Sequence, residues 1–206
     1  MSDQEIKMST EEQILKSAIA VFQRDGFSGA RMQDIADLAG INKALLHYYY
    51  RSKDKLFQAV FVSVMSKVID EMQTVLASDV HLVEKIRLFF DKHISFMQKN
   101  QFVPGFLISE LNRNPELVLN VLKEINVHKT FGGFVSQINQ AIEKGDIRPI
   151  DPQQLFINML ALSVFPFGAR GMLFGVLQFD ENRFDEFVEA RKSLCAEIII
   201  NWIKKA

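Results

Sequence analysis

The chain of 206 residues contains one cysteine, one tryptophan and three tyrosines. A lone Cys195 excludes an intrachain disulfide framework and fits a reducing compartment. The formal net charge is −1, so no chain-wide attraction to a polyanion exists and any basic surface is local. β-branched alternation over strand lengths is nearly absent, and the few Pro and Gly residues fall where helices begin or end. No His/Cys/Glu cluster has metal-ligand spacing, and no Gly-rich phosphate loop occurs. Catalytic residues, a metal and a cofactor are therefore not expected, and Cys195 reads as a buried, inert thiol. The most apolar region, 155–177, is interrupted by Asn158, Pro166 and Arg170. It fits a buried or interface helix rather than a membrane span, so no membrane partner is expected. The polar, acidic start "MSDQEIKMST" lacks the apolar core of a signal peptide, and the expectation is a cytoplasmic protein.

What remains is helix. Thr10-Glu11-Glu12-Gln13 has the form of a capping box, followed by a stripe of Ile14, Ala18, Val21 and Phe22 that stops at Gly26. A second helix over about 33–39 turns Ile35, Leu38 and Ala39 inward. Gly40 ends it, and Asn42 caps a third helix to about Arg51. Ser52 opens a fourth that runs to the mid-70s. Further helices are expected over about 80–99, 102–112, 115–144, 152 to the mid-160s and 183–205. Gly132-Gly133 inside one of them is costly, about 1 kcal/mol each, and would bring two helices close, leave room for a ligand, or mark a kink. Of 18 phenylalanines only Phe22, Phe27, Phe57 and Phe61 lie in the first 61 residues. That shift in composition divides the chain into a first domain, 9–60, and a second, 61–206.

All three tyrosines stand together in "AGINKALLHYYYRSKDKL", residues 39–56. The two short helices there, joined by Gly40-Ile41-Asn42, form a helix-turn-helix candidate. On the second, Leu46 and Tyr50 are four apart and face inward. Outward lie Ala44, Leu45, His47, Tyr48 and Arg51, with Lys43 and Tyr49 at the flanks. From Lys43 to Lys55 there are four cations and one anion, a local excess that suits phosphate attraction. A tyrosine ring packs on sugar, its hydroxyl donates to phosphate, and outermost side chains reach base edges. By composition alone a packed structural helix reads the same way.

Residues 10–61, through "ILKSAIAVFQRDGF" and "MQDIADLAGINKALLHYYYRSKDKL", resemble the DNA-binding domain of the TetR family of transcriptional regulators. The resemblance implies an all-α protein: a helix-turn-helix domain followed by a larger helical domain for effector binding and dimerisation. It places Gln33 at a base- or phosphate-contacting position. Asn42, Lys43, Ala44, Leu45, His47 and Tyr48 fall on the recognition surface, and Tyr49 on a phosphate. Lys53 is similar to a lysine that pairs with a phosphate at a helix N-terminus. Arg31 stands where a Ser or Thr cap is usual, Leu45 where Thr is usual and Arg51 where Pro is frequent. Arg31 and Arg51 join the candidate DNA contacts, and the operator is the chain's own.

The resemblance further implies a homodimer on a double-stranded DNA operator, answering to a small apolar or aromatic effector. Its interface is expected on the last two long helices, at Phe156, Met159, Leu160, Phe187, Leu194, Ile198 and Trp202. The effector pocket is expected among Phe89, His93, Phe96, Phe106, Glu110, His128, Phe131 and Phe165, an apolar lining with a few polar groups. A regulator of the same type controlled by a protein partner, or acting as an activator, fits the same residues.

Overall fold

The computed structural model describes residues 8–124 and 127–205, leaving aside the side chains of 127–130. Among the described residues there are eleven helices and no strand. They fall into two compact units, Met1–Met65 and Ser66–Ala206.

In the first unit α1 is Thr10–Gly29, α2 Met32–Leu38 and α3 Lys43–Tyr49, and α4 begins at Lys53. The capping box forms one residue earlier than the sequence pattern places it. Ser9 Oγ accepts from Glu12 N at 3.2 Å, and Glu12 Oε2 accepts from Ser9 N at 2.7 Å. Gly26 breaks α1 at φ 66°, a left-handed value that glycine adopts without a Cβ clash. Ile14, Ala18, Val21, Ile35, Ala36, Leu46, Leu56 and Phe61 make a closed core. Phe57 packs edge-on against Phe22 at 5.0 Å and Phe27 at 4.9 Å. Leu38, expected inside, is 55% exposed. It ends a seven-residue helix whose buried positions are Ile35 and Ala36, so Leu38 lies off that face.

α4 is a single helix, Lys53–Leu76. The second unit adds α5 Leu82–Lys99, α6 Val103–Arg113, α7 Pro115–Glu124 and α8 Val127–Lys144. It closes with α9 Pro152–Gly168, α10 Arg170–Val176 and α11 Glu181–Ile203. The long helix expected over 115–144 corresponds to α7 and α8, and its middle, 125–126, lies outside the described residues. α10 has no counterpart among the helices expected from the sequence. It follows α9 at a 60° bend, and no single described helix is long and apolar enough to cross a membrane.

α5 is the axis of this unit, packing against α8, α9 and α11. It buries Leu82, Ile86, Phe89, Phe90, Ile94 and Met97 along one side. Lys85 is buried with them and donates to the carbonyl of Leu76 at 2.8 Å, satisfying one free acceptor of the last turn of α4. A Cβ at Gly132 or Gly133 meets nothing within 4 Å, so no close helix approach requires these glycines.

Candidate functional site

Two short helices carry the first candidate surface. Gly40, at φ 68°, turns the chain between them, and Ile41 N donates to Ala36 O at 3.0 Å. Asn42 Oδ1 accepts from Leu45 N at 2.8 Å, so this side chain caps α3. Leu46 is fully buried and anchors the helix. Lys43, Ala44, Leu45, His47, Tyr48 and Tyr49 are then all exposed, as are Arg31, Gln33 and Arg51. Tyr48 is 82% exposed, and its ring meets Tyr49 edge-on at 5.8 Å. Gln33 Nε2 donates to Asp37 Oδ1 at 2.7 Å, which holds its amide along α2. Arg31 makes no cap hydrogen bond to α2.

α3 ends at Tyr49 because Tyr50 is extended, at φ −133° and ψ 102°. Its ring is buried, and its hydroxyl donates to Glu11 Oε1 at 2.9 Å. Burial, then this bond, raises the phenol well above its ordinary pKa. The bond ties the C-cap of α3 to the start of α1 across 39 residues of sequence. Tyr50→Phe is expected to cost about 1 kcal/mol. Chemical denaturation measures it.

Lys53 opens α4 as expected, but its ammonium is engaged within the protein. Its ammonium donates to the carbonyls of Phe27 at 2.8 Å, Ser28 at 3.3 Å and Ala30 at 3.1 Å, and lies 4.6 Å over the Phe27 ring. All three donors are directed at backbone. Lys43, Arg51 and Lys55 are exposed cations of this segment, and Arg31 is exposed as well.

In the second unit the expected pocket residues do not form one chamber. Phe89 and His93 are buried and stacked, with ring centroids at 5.0 Å. They line a narrow cleft with Glu71, Met72, Val75 and Lys92. Phe96 and Phe106 are half-buried, and Phe106 lies 6.4 Å from Phe102. Glu110 is buried and accepts from Asn114 Nδ2 at 2.9 Å. Phe131 meets Phe156 edge-on at 4.4 Å, which gives Phe156 a packing role. Phe165 is 60% exposed, so it belongs to a surface rather than an interior pocket. The side chain of His128 lies outside the described residues.

The expected interface residues divide. Met159 is fully buried in its own unit and serves the core. Phe187 packs on Phe179 at 5.2 Å, and Trp202 lies under Arg148 at 5.1 Å. Leu160 is half-buried. Leu194 and Ile198 on α11 are exposed, as are Ile157 and Phe165 on α9. Phe165, Ile198 and Trp202 border an open apolar groove between these two helices.

Residues 14–60 match the family model described as bacterial regulatory proteins, tetR family. The HTH-type transcriptional repressor NicS of Pseudomonas putida is 30% identical over 145 residues, covering 68% of this chain and 61% of NicS. The chain therefore spans about three-fifths of that relative's length. The HTH-type transcriptional regulator RutR of Escherichia coli is 30% identical over 157 residues, covering 72% of this chain and 69% of RutR. A TetR transcription regulator from Haloarcula marismortui superposes with a TM-score of 0.69 at 19% identity, covering 95% of this chain and 98% of that one. The regulator FadR from Bacillus subtilis, solved in complex with stearoyl-CoA, gives 0.68 at 18% identity, covering 91% and 96%. At those identities the likeness is one of fold.

Proposed function

Because the chain belongs to the tetR family of bacterial regulatory proteins, we propose that it is a ligand-responsive repressor that binds a near-palindromic operator as a dimer. The observation that carries this reading is the exposed face of α3. A fully buried Leu46 fixes the helix while Lys43, His47, Tyr48 and Tyr49 remain free of the core. Small Ala44 permits close approach to the major groove, and Leu45 offers an apolar contact to a thymine methyl. Arg31 and Arg51 supply phosphate contacts that position the helix.

Tyr48→Ala tests this surface. Operator affinity should fall about tenfold, while folding stability moves by less than about 0.5 kcal/mol. Fluorescence anisotropy and a denaturation curve read the two quantities. A variant that unfolds, or binds DNA unchanged, removes Tyr48 from the recognition surface.

The dimer rests on α9 and α11, where a second copy would cover Ile157, Phe165, Leu194 and Ile198. Two-fold symmetry then presents two recognition helices to successive major grooves, roughly 34–36 Å apart or somewhat beyond. Leu194→Glu places a charge in that contact and should weaken dimerisation about tenfold, read by sedimentation at graded concentration.

Relief of repression follows by linkage: an effector that prefers the conformer with misplaced reading heads lowers operator affinity by its differential affinity for the two states. The Phe-rich second unit supports an apolar or aromatic effector. So does the complex of FadR, a protein of like fold, with stearoyl-CoA.

A further inference from the structure

We infer that the His93–Ser163 pair is the polar reader of the effector site, and that the effector is a small neutral molecule with an apolar body and a hydroxyl or N–H donor. The inference rests on the effector reading of the second unit. It begins with a proton count. Ser163 Oγ lies 2.9 Å from the carbonyl of Met159 and 3.0 Å from that of Leu160. A hydroxyl has one proton, and both carbonyls only accept. With that proton on the backbone of α9, Ser163 Oγ offers a lone pair to His93 Nδ1, 2.9 Å away. His93 Nδ1 therefore carries the ring proton and donates. His93 Nε2 is left as a bare acceptor, and it has no partner among the described residues.

The ring is 3% exposed, and it lines the cleft shared by α4 and α5. The cleft is closed even to a water molecule in this structure, so a ligand enters only where its wall moves. Met72 and Val75 form its α4 wall, and the Phe89 ring continues the apolar lining. Met72 is unbranched and can move aside for a ligand. Glu71 and Lys92 are the charged groups that line the cleft. A carboxylate against Nε2 would set lone pair against lone pair, and a cation would lose its hydration at a cleft where Lys92 offsets Glu71. A neutral donor meets neither penalty.

The test uses the full chain labelled with ¹⁵N-histidine, with p-cresol and toluene as probes alike in shape and unlike in donor. In the free protein the His93 nitrogens should report a neutral ring protonated at Nδ1. p-Cresol should shift the Nε2 resonance and bind about tenfold more tightly than toluene. His93→Phe keeps the stacked ring and should erase that preference, and Ser163→Ala should erode it by freeing the tautomer. A proton on Nε2, equal binding of the two probes, or failure of both to reach His93 overturns the inference. Compounds that release operator DNA equally from wild type and His93→Phe also overturn it, while preserving the effector reading. p-Cresol held at His93 with operator affinity unchanged supports the site and removes the effector reading.

Discussion

Lys53→Met is expected to destabilise the first unit by about 3 kcal/mol while leaving the salt dependence of DNA binding unchanged. The ammonium is bonded to three carbonyls at 2.8, 3.1 and 3.3 Å where α1 ends and α2 begins. Hydrogen bonds from a charged donor are the stronger kind, and removing the donor leaves part-buried carbonyls unsatisfied. Methionine keeps the length of the stem and removes the ammonium together with its place over the Phe27 ring. A phosphate-bound lysine behaves differently: its loss lowers the slope of log affinity against log salt by about 0.9. Denaturation together with a salt titration of DNA binding separates the roles. Unchanged stability with a flatter slope would return Lys53 to the phosphate backbone.

Acidification should also be costly to the second unit. Burial pushes His93 down to about 4 from its ordinary 6.5. The folded-state value is depressed, so between the two the unfolded chain binds a proton that the folded chain refuses. Stability is then full above 6.5, is lost as pH falls through the interval, and is flat below about 4. A shift of that size corresponds to about 3 kcal/mol. Burial is the cause of this shift, although Glu71 and Lys92 line the same cleft. His93→Phe should flatten the stability–pH curve between pH 4 and 6.5. A curve as steep as the wild type's would assign the acid sensitivity elsewhere.

Local features of the fold were legible in the sequence. The Asn42 cap, the left-handed Gly40 and the inward Leu46 and Tyr50 follow from spacing and residue type, and all are in place. The capping box was displaced by one residue because Ser9-Thr10 and Glu12-Gln13 are adjacent equivalents, and local pattern cannot choose between them. What escaped was long-range. Tyr50 meets Glu11 across 39 residues, Lys53 meets Phe27 across 26, and His93 meets Ser163 across 70. Periodicity gives the face of a side chain and not the partner that faces it. Leu38 and Met159 failed for a related reason: an apolar residue on a helix is assigned inward or to an interface, and neighbouring elements decide which.

The exposed tyrosine helix as a reader of DNA is tested most directly by selecting bound sites from random duplex DNA with the purified full chain at moderate salt. Enrichment of one near-palindrome, its half-sites about a helical turn or more apart, is the predicted result. A folded protein that enriches no sequence, with and without the compounds that bind its second unit, would contradict it.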